Sequence, residues 1–236
     1  MITNTQIGKY KIKRSYKIHE KKLISIINKI YSTKRSEPLN IMDIGCAEGK
    51  FIELLIKNYK NSKILGIDIS KELISLSKKK FKENSNINFK RKNVLNNSIL
   101  NEHKQDIIIA SGILSISTNF QNPLSNWIKM LKKNGHLFVF GCFNSAHVDT
   151  ISYFKNYYTN SKWETGLNSF STKTISNYLN KKKVEHKFVK FDININIKKS
   201  KNPLNSYTVK THDNKLLLMT GANISKEMYY LIIKKK

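Results

Sequence analysis

With 236 residues, 39% of them apolar, and few glycines or prolines, the chain suits one α/β domain with an insertion and excludes long disordered linkers. Its formal charge of +27 would ordinarily suggest a nucleic-acid or membrane partner. Arginine occurs only at Arg14, Arg35 and Arg91, however, and the remaining basic residues are lysines spread through nearly every segment beside abundant Asn and Ile. That is the composition an AT-rich coding sequence produces, and arginine, the residue suited to bidentate base readout, is almost missing, so specific nucleic-acid binding is not expected. Cys46 and Cys142 sit in apolar, strand-like contexts with no CxxC and no neighbouring histidine cluster, which favours a reducing compartment and argues against structural zinc. The segment from Met1 to Lys22 is basic but has no apolar core of a signal peptide. No stretch approaches the roughly 20 apolar residues of a membrane span, so a cytoplasmic protein is expected.

In chain order, Leu23, Ile24, Ile26, Ile27 and Ile30 recur at helical spacing and predict a first helix ending near Tyr31. After Pro38, residues 39–43 read as a short buried strand, and a glycine-rich turn leads to a helix bearing Phe51, Ile52, Leu54 and Leu55. Residues 64–68 form a second strand. Ser70 caps the next helix, whose buried face carries Leu73, Ile74 and Leu76. A weaker strand at 87–89 and a strong one at 106–110 follow. A helix over about 123–132 should end at Asn134-Gly135 in a left-handed cap, before a fifth strand at 137–140. Beyond it the pattern changes: residues 143–170 are aromatic and polar without a clean period. A helix near 172–182, a strand near 187–193, a hairpin pairing 207–210 with 216–219 around Asp213-Asn214, and a terminal strand at 229–233 complete the chain, with Lys234, Lys235 and Lys236 read as a solvated tail. Strand and helix alternate from 39 to 142, which predicts a doubly wound, mostly parallel sheet.

Such sheets bind ligands at the carboxyl ends of their strands. The first strand ends at Asp43 and opens into Ile44-Gly45-Cys46-Ala47-Glu48-Gly49. Gly45 lets the chain turn tightly, Ala47 and Gly49 keep side chains clear of a ligand lying on the backbone, and the next helix offers free N–H groups. A dinucleotide site reads G-x-G-x-x-G and places pyrophosphate on that helix. This loop reads G-x-A-x-G and carries acids at Asp43 and Glu48, which repel pyrophosphate and suit a ligand bearing ammonium and sulfonium groups.

The segment Ile41–Gly49 resembles motif I of class I S-adenosylmethionine (SAM)-dependent methyltransferases, and the likeness runs over residues 39–142 with the motifs in order. It implies a seven-stranded, mostly parallel class I sheet with an inserted substrate-covering segment and a C-terminal hairpin. Residues 1–236 would be one domain, with 1–36 as an N-terminal lid and helix, 37–142 as the SAM-binding core and 143–219 supplying substrate-side insertions. The resemblance implies that Asp43, Gly45, Cys46, Ala47 and Gly49 line the methionine end of SAM, and that Asp68 holds both ribose hydroxyls. It further implies that Ser111 and Gly112 pass beneath the methionine portion and that Ile69 and Val94 sandwich the adenine. Two departures stand out. Ala47 replaces a frequent glycine, and Asn93 stands where the family usually has an acid for the adenine amino group; its carbonyl can still accept that bond.

The acceptor must then be held by other segments: the N-terminal stretch with Tyr10, Tyr16 and His19, residues 144–171, and the hairpin. In-line methyl transfer gains much of its rate from alignment, and an alcohol acceptor gains further from a base near neutral pKa. His147 is the first candidate base and His19 the second, with Tyr16 as a further catalytic candidate; no metal is called for. Trp163–Ser171 and Asn202–Val209 are similar to bacterial small-molecule methyltransferases found among surface-polysaccharide genes. That similarity implies a small-molecule acceptor such as a sugar, a nucleotide-sugar or a phosphoryl precursor of a capsule, whose anionic group would use some of the lysines. The alternatives are an RNA methyltransferase and a non-catalytic SAM-binding protein. Against the first, Ala110-Ser111-Gly112-Ile113 lacks an Asn/Asp-Pro-Pro-Tyr motif; against the second, the Asp43–Gly49 loop is intact.

Overall fold

Five apolar runs of strand length recur along residues 39–144, each followed by a turn or an amphipathic helix, and they assemble into one sheet. The computed structural model describes residues 17–34, 36–155, 162–200, 205–221 and 223–236. A first helix, α1 (Ile18–Ile30), precedes β1 (Asn40–Ile44), α2 (Lys50–Asn58), β2 (Lys63–Asp68), α3 (Lys71–Lys80), β3 (Ile87–Arg91), β4 (Gln105–Ser111), α4 (Gln121–Lys129) and β5 (Leu131–Asn144). There follow β6 (Tyr153–Phe154), β7 (Glu164–Thr165), β8 (Phe170–Ser171), α5 (Thr172–Lys181), β9 (Glu185–Lys190), β10 (Ser206–Lys210), β11 (Leu216–Thr220), β12 (Ser225–Lys226) and β13 (Met228–Lys234). The main sheet runs β3-β2-β1-β4-β5-β13-β9, the seven-stranded arrangement expected, and β8 adds a two-residue eighth strand alongside the end of β5. Strands β1 to β5 are mutually parallel, while β13 lies antiparallel to both β5 and β9.

Alternation along the strands feeds two cores, one per face. Met42, Ile108 and Leu231 join Leu124, Trp127, Ile175 and Leu179 on one side. Ile41, Ile109 and Ile232 join Leu23, Ile27, Ile52 and Tyr59 on the other. Helices on both faces therefore bury the centre of the sheet, as parallel strands require, while the edge strands β3 and β9 stay partly exposed. Ser70 caps α3 as expected, its hydroxyl accepting from Leu73 N at 3.2 Å. The hairpin also forms, with Asn214 left-handed at its turn (φ 61°), and β12 extends it into a three-stranded sheet.

Two expectations are corrected. Helix α4 stops at Lys129, and Asn134-Gly135 kinks the interior of β5 instead of capping a helix. Met130 and Leu131 are fully buried and Gln105 N donates to Met130 O (2.8 Å), so strand pairing begins immediately after the helix. Asn134 is left-handed as read (φ 61°), and a Cβ at Gly135 would come within 3.0 Å of three backbone carbonyls. The terminal lysines are not simply a tail. Lys234 belongs to β13, the Lys235 backbone pairs with Asn134 and Gly135, and its Nζ donates to Leu131 O at 2.7 Å. Among the described residues no helix is long and apolar enough to cross a membrane.

Candidate functional site

The loop after β1 is folded back on β2. Ile67 O accepts from both Gly45 N (2.7 Å) and Cys46 N (3.0 Å), and Gly49 N closes the turn onto Cys46 O (2.8 Å). Gly45, Ala47 and Gly49 are all left-handed, at φ 75°, 48° and 78°. For Ala47 that conformation costs about 1–2 kcal/mol. It is held from both sides: Ala47 N donates to Asp68 Oδ2 at 3.0 Å, and Ser77 Oγ donates to Ala47 O at 2.8 Å. A Cβ at Gly45 would overlap the Ile113 side chain, a contact that nothing in the sequence announced. Gly49 has a packing reason beyond clearing a ligand, because a Cβ there would stand 2.6 Å from the Phe81 ring. Cys46 turns its thiol into the core, where burial pushes its pKa well up, so only its backbone faces the loop.

In a chain of +27 the charge around this loop has the opposite sign. Asp43 and Asp68 are each only 4% exposed. Burial first, then the carboxylates of Asp68, Glu20 and Glu48, raise the Asp43 pKa to about 8. No described residue donates a hydrogen bond to the Asp43 carboxylate, and no described cation pairs with it. Glu20, on α1, was not singled out from the sequence, because its helix precedes the motif and only packing turns it toward Asp43. Asp68 is also shifted up by burial but is opposed by backbone N–H donors, with Ser70 N on Oδ1 at 2.9 Å and Ala47 N on Oδ2. Each Asp68 oxygen keeps a second lone pair for a hydroxyl. An acid cluster whose central carboxylate lacks a described cation, beside a carboxylate held by two backbone N–H groups with a lone pair spare on each oxygen, fits SAM: Asp43 could hold its ammonium and Asp68 its ribose. Among the described residues no group of His, Cys, Asp and Glu is arranged to hold a metal ion.

The remaining sequence candidates take varied positions. Ile69 is 45% exposed at the end of β2, available to an adenine face. Val94 is buried in the core and its carbonyl accepts from Trp127 Nε1 at 2.9 Å. Asn93 is exposed, and its Oδ1 already accepts from Leu95 N (3.0 Å), leaving one lone pair. Ser111 closes β4. Gly112 (φ 76°) donates to Phe140 O at 2.7 Å and has open space where a side chain would be. His147 is exposed in the turn after β5. His19 is half-buried on α1, stacked 4.4 Å from the Phe140 ring, with its carbonyl accepting from Tyr230 Oη at 2.9 Å. The two histidines thus stand in different surroundings, one at the surface and one packed against the sheet. Tyr10 and Tyr16 lie outside the described residues.

The strand order and this loop are those of a class I SAM-dependent methyltransferase. A family profile for the methyltransferase domain matches residues 35–204, well over half of the chain, and the chain belongs to that family. It is 39% identical over 106 residues to a tRNA (guanine-N(7)-)-methyltransferase of Prochlorococcus marinus, covering 44% of this chain and 46% of that protein. It is 26% identical over 147 residues to a malonyl-[acyl-carrier protein] O-methyltransferase of Priestia megaterium, covering 62% and 51%. The chain spans about half the length of these curated relatives. Among solved structures, the YcgJ protein from Bacillus subtilis shares the fold, with a TM-score of 0.59 at 11% identity over 90% of this chain and 98% of that one.

Proposed function

We propose that the chain is a cytoplasmic enzyme that transfers the methyl group of SAM to an oxygen of a small anionic acceptor. The acceptor class is a sugar, a nucleotide-sugar or a phosphoryl precursor of a bacterial capsule or surface glycan. The observation that carries the methyl-donor half is the buried acid cluster on a glycine loop, within a protein that is otherwise strongly basic. The likeness of Trp163–Ser171 to surface-polysaccharide methyltransferases supports the acceptor half; the companion stretch Asn202–Val209 lies partly outside the described residues.

SAM supplies a methyl carbon on a positively charged sulfur; as the acceptor oxygen bonds to that carbon, the carbon–sulfur pair passes to sulfur. The chain's contribution is placement. Asp43, with Glu20 and Glu48 nearby, neutralises the ammonium, Asp68 fixes the ribose, and the backbone of Gly45, Cys46 and Ala47 sets the depth of the methionine end. The strand end at Ser111-Gly112 passes beneath the methionine portion, and holding donor and acceptor in line supplies much of the rate. An acceptor whose attacking oxygen is itself anionic, a carboxylate or phosphate oxygen, needs no base. A hydroxyl acceptor would pass its proton to His147, His19 or Tyr16, in that order of preference.

S-Adenosylhomocysteine should raise the melting temperature of the wild-type protein, since a ligand of the native state stabilises it by mass action. Asp68→Ala should remove most of that rise, because two charge-assisted hydrogen bonds go with the carboxylate. A wild-type melting temperature indifferent to the ligand would sink the cofactor reading. A second reading, methylation of RNA, has one specific support: the 39% identity to a tRNA methyltransferase over 106 residues.

A further inference from the structure

The amino end of β13 lies at the carboxyl end of β5, because the two strands are antiparallel, with Met228 opposite Cys142. Between them, the turn after β5 and residues 167–169 is a cavity of about 250 Å³, whose lining includes Asn144, Val148, Ser169, Lys226 and Glu227. It adjoins the cofactor side. Gly112 donates to Phe140 O on β5, and Asn168 N, between the lining residues Leu167 and Ser169, donates to Ser115 O (2.9 Å) three residues beyond Gly112. A larger cavity of about 430 Å³, lined by Lys63, His103, Lys104 and Lys132, opens at the opposite edge, at the amino ends of the strands.

Two polar groups of the smaller cavity lack the partners their chemistry calls for. Lys226 is half-buried yet makes no ion pair among the described residues, where its ammonium donates a long hydrogen bond to Ser206 Oγ at 3.5 Å. Burial holds its pKa below the usual lysine range, the state of an ammonium short of a counter-charge. Glu227 does not supply one, because its carboxylate is tied to Lys190 (2.6 Å) and to Ser145 N and Oγ (2.9 and 3.1 Å). Asn144 is fixed in orientation by its Nδ2, which donates to Val148 O (3.0 Å) and Ser169 Oγ (3.1 Å). That leaves Oδ1 buried with no donor. Buried carbonyl oxygens are nearly always bonded, so an orphan at a cavity wall marks where a ligand or water donor belongs.

We propose that this cavity is the methyl-acceptor site, and that it selects a small acceptor whose phosphate or carboxylate rests on Lys226 and whose hydroxyl or amino group donates to Asn144 Oδ1. The assignment rests on the methyltransferase reading above. It follows that the acceptor is small, or presents a small end, since ligand sites usually measure roughly 300–1,000 Å³.

The test uses the full chain saturated with S-adenosylhomocysteine, titrated calorimetrically with sugar phosphates, uronic acids and hydroxy acids, each beside its neutral parent (glucose 6-phosphate, glucuronate and glucose, for instance). At least one acid should bind and its neutral parent should not, and the phosphate and carboxylate arms tell which anion is preferred. Lys226→Met should weaken the acid at least about tenfold, the order expected for one charge-assisted contact; Lys226→Arg should restore it in part. Asn144→Asp keeps the side-chain shape but gives Lys226 an internal counter-charge, so it too should abolish acid binding, while both variants keep S-adenosylhomocysteine. The proposal falls if no acid binds, if neutral parents bind equally well, or if both Lys226→Met and Asn144→Asp bind the acid like wild type. Loss of S-adenosylhomocysteine binding in the wild type would instead strike at the methyltransferase reading.

Discussion

At the scale of single residues, Asp43 carries the sharpest consequence. Its pKa of about 8 in the folded chain compares with about 3.9 for a free aspartate. Between those values the native state holds a proton that the unfolded state releases. Its contribution to stability is therefore present below about pH 4 and is lost as pH climbs through 8. A ligand ammonium beside the carboxylate would draw its pKa down, so binding near pH 7 should expel close to one proton. Calorimetric titration of S-adenosylhomocysteine in buffers of low and high ionisation enthalpy should give different heats, and Asp43→Asn should erase the difference. Equal heats in the wild type would show that no proton leaves. Asp43 and Asp68 were legible in the sequence because each stands at or next to the end of a strand, and Glu48 because it lies within the glycine loop. Glu20 and Lys226 were not. Glu20 reaches the site through helix packing, and Lys226 is indistinguishable from the other lysines until burial and the lack of a counter-charge single it out.

Among the elements, the parallel half of the sheet was readable because β1, β2, β4 and β5 are largely buried on both faces and bounded by turns and amphipathic helices, while the edge strand β3, buried only at Phe89, gave the weakest signal. The β5 kink was misread for a physical reason: a left-handed Asn-Gly pair serves a helix terminus and a strand bend equally well, and only the tight approach of Gly135 to neighbouring carbonyls decides between them. The described parts of the segment after β5 show no period because their ladders are only two residues long, β6 with β7 and β8 with the end of β5, and side chains supply the rest of the hold. Asn168, fully buried, ties it together: its Oδ1 accepts from Ser152 N (2.9 Å) and its Nδ2 donates to Ser117 O (2.9 Å). Asn168→Ala leaves both groups without that partner and should cost about 2–3 kcal/mol in chemical denaturation. A loss below about 0.5 kcal/mol, the usual range for a surface change, would mean that the segment holds without it.

For the molecule as a whole, a net charge of +27 accompanies a buried acid cluster at the loop after β1. Lysines scattered over a surface attract any polyanion, so tRNA should bind at low salt and lose several orders of magnitude in affinity between about 50 and about 200 mM. Anisotropy titrations would show this; tight binding that persists above that range, competing with S-adenosylhomocysteine, would favour RNA as the acceptor. The antiparallel course of β13 has a temporal consequence as well. Every pairing among β1 to β5 lies within Asn40–Asn144, so the cofactor edge draws on strands that leave the ribosome before β13. The acceptor cavity needs Lys226 and Glu227 beside Cys142 and Asn144, a closure that waits until β13 has been made. During synthesis the methyl-donor edge can therefore take shape before any acceptor has a place to sit.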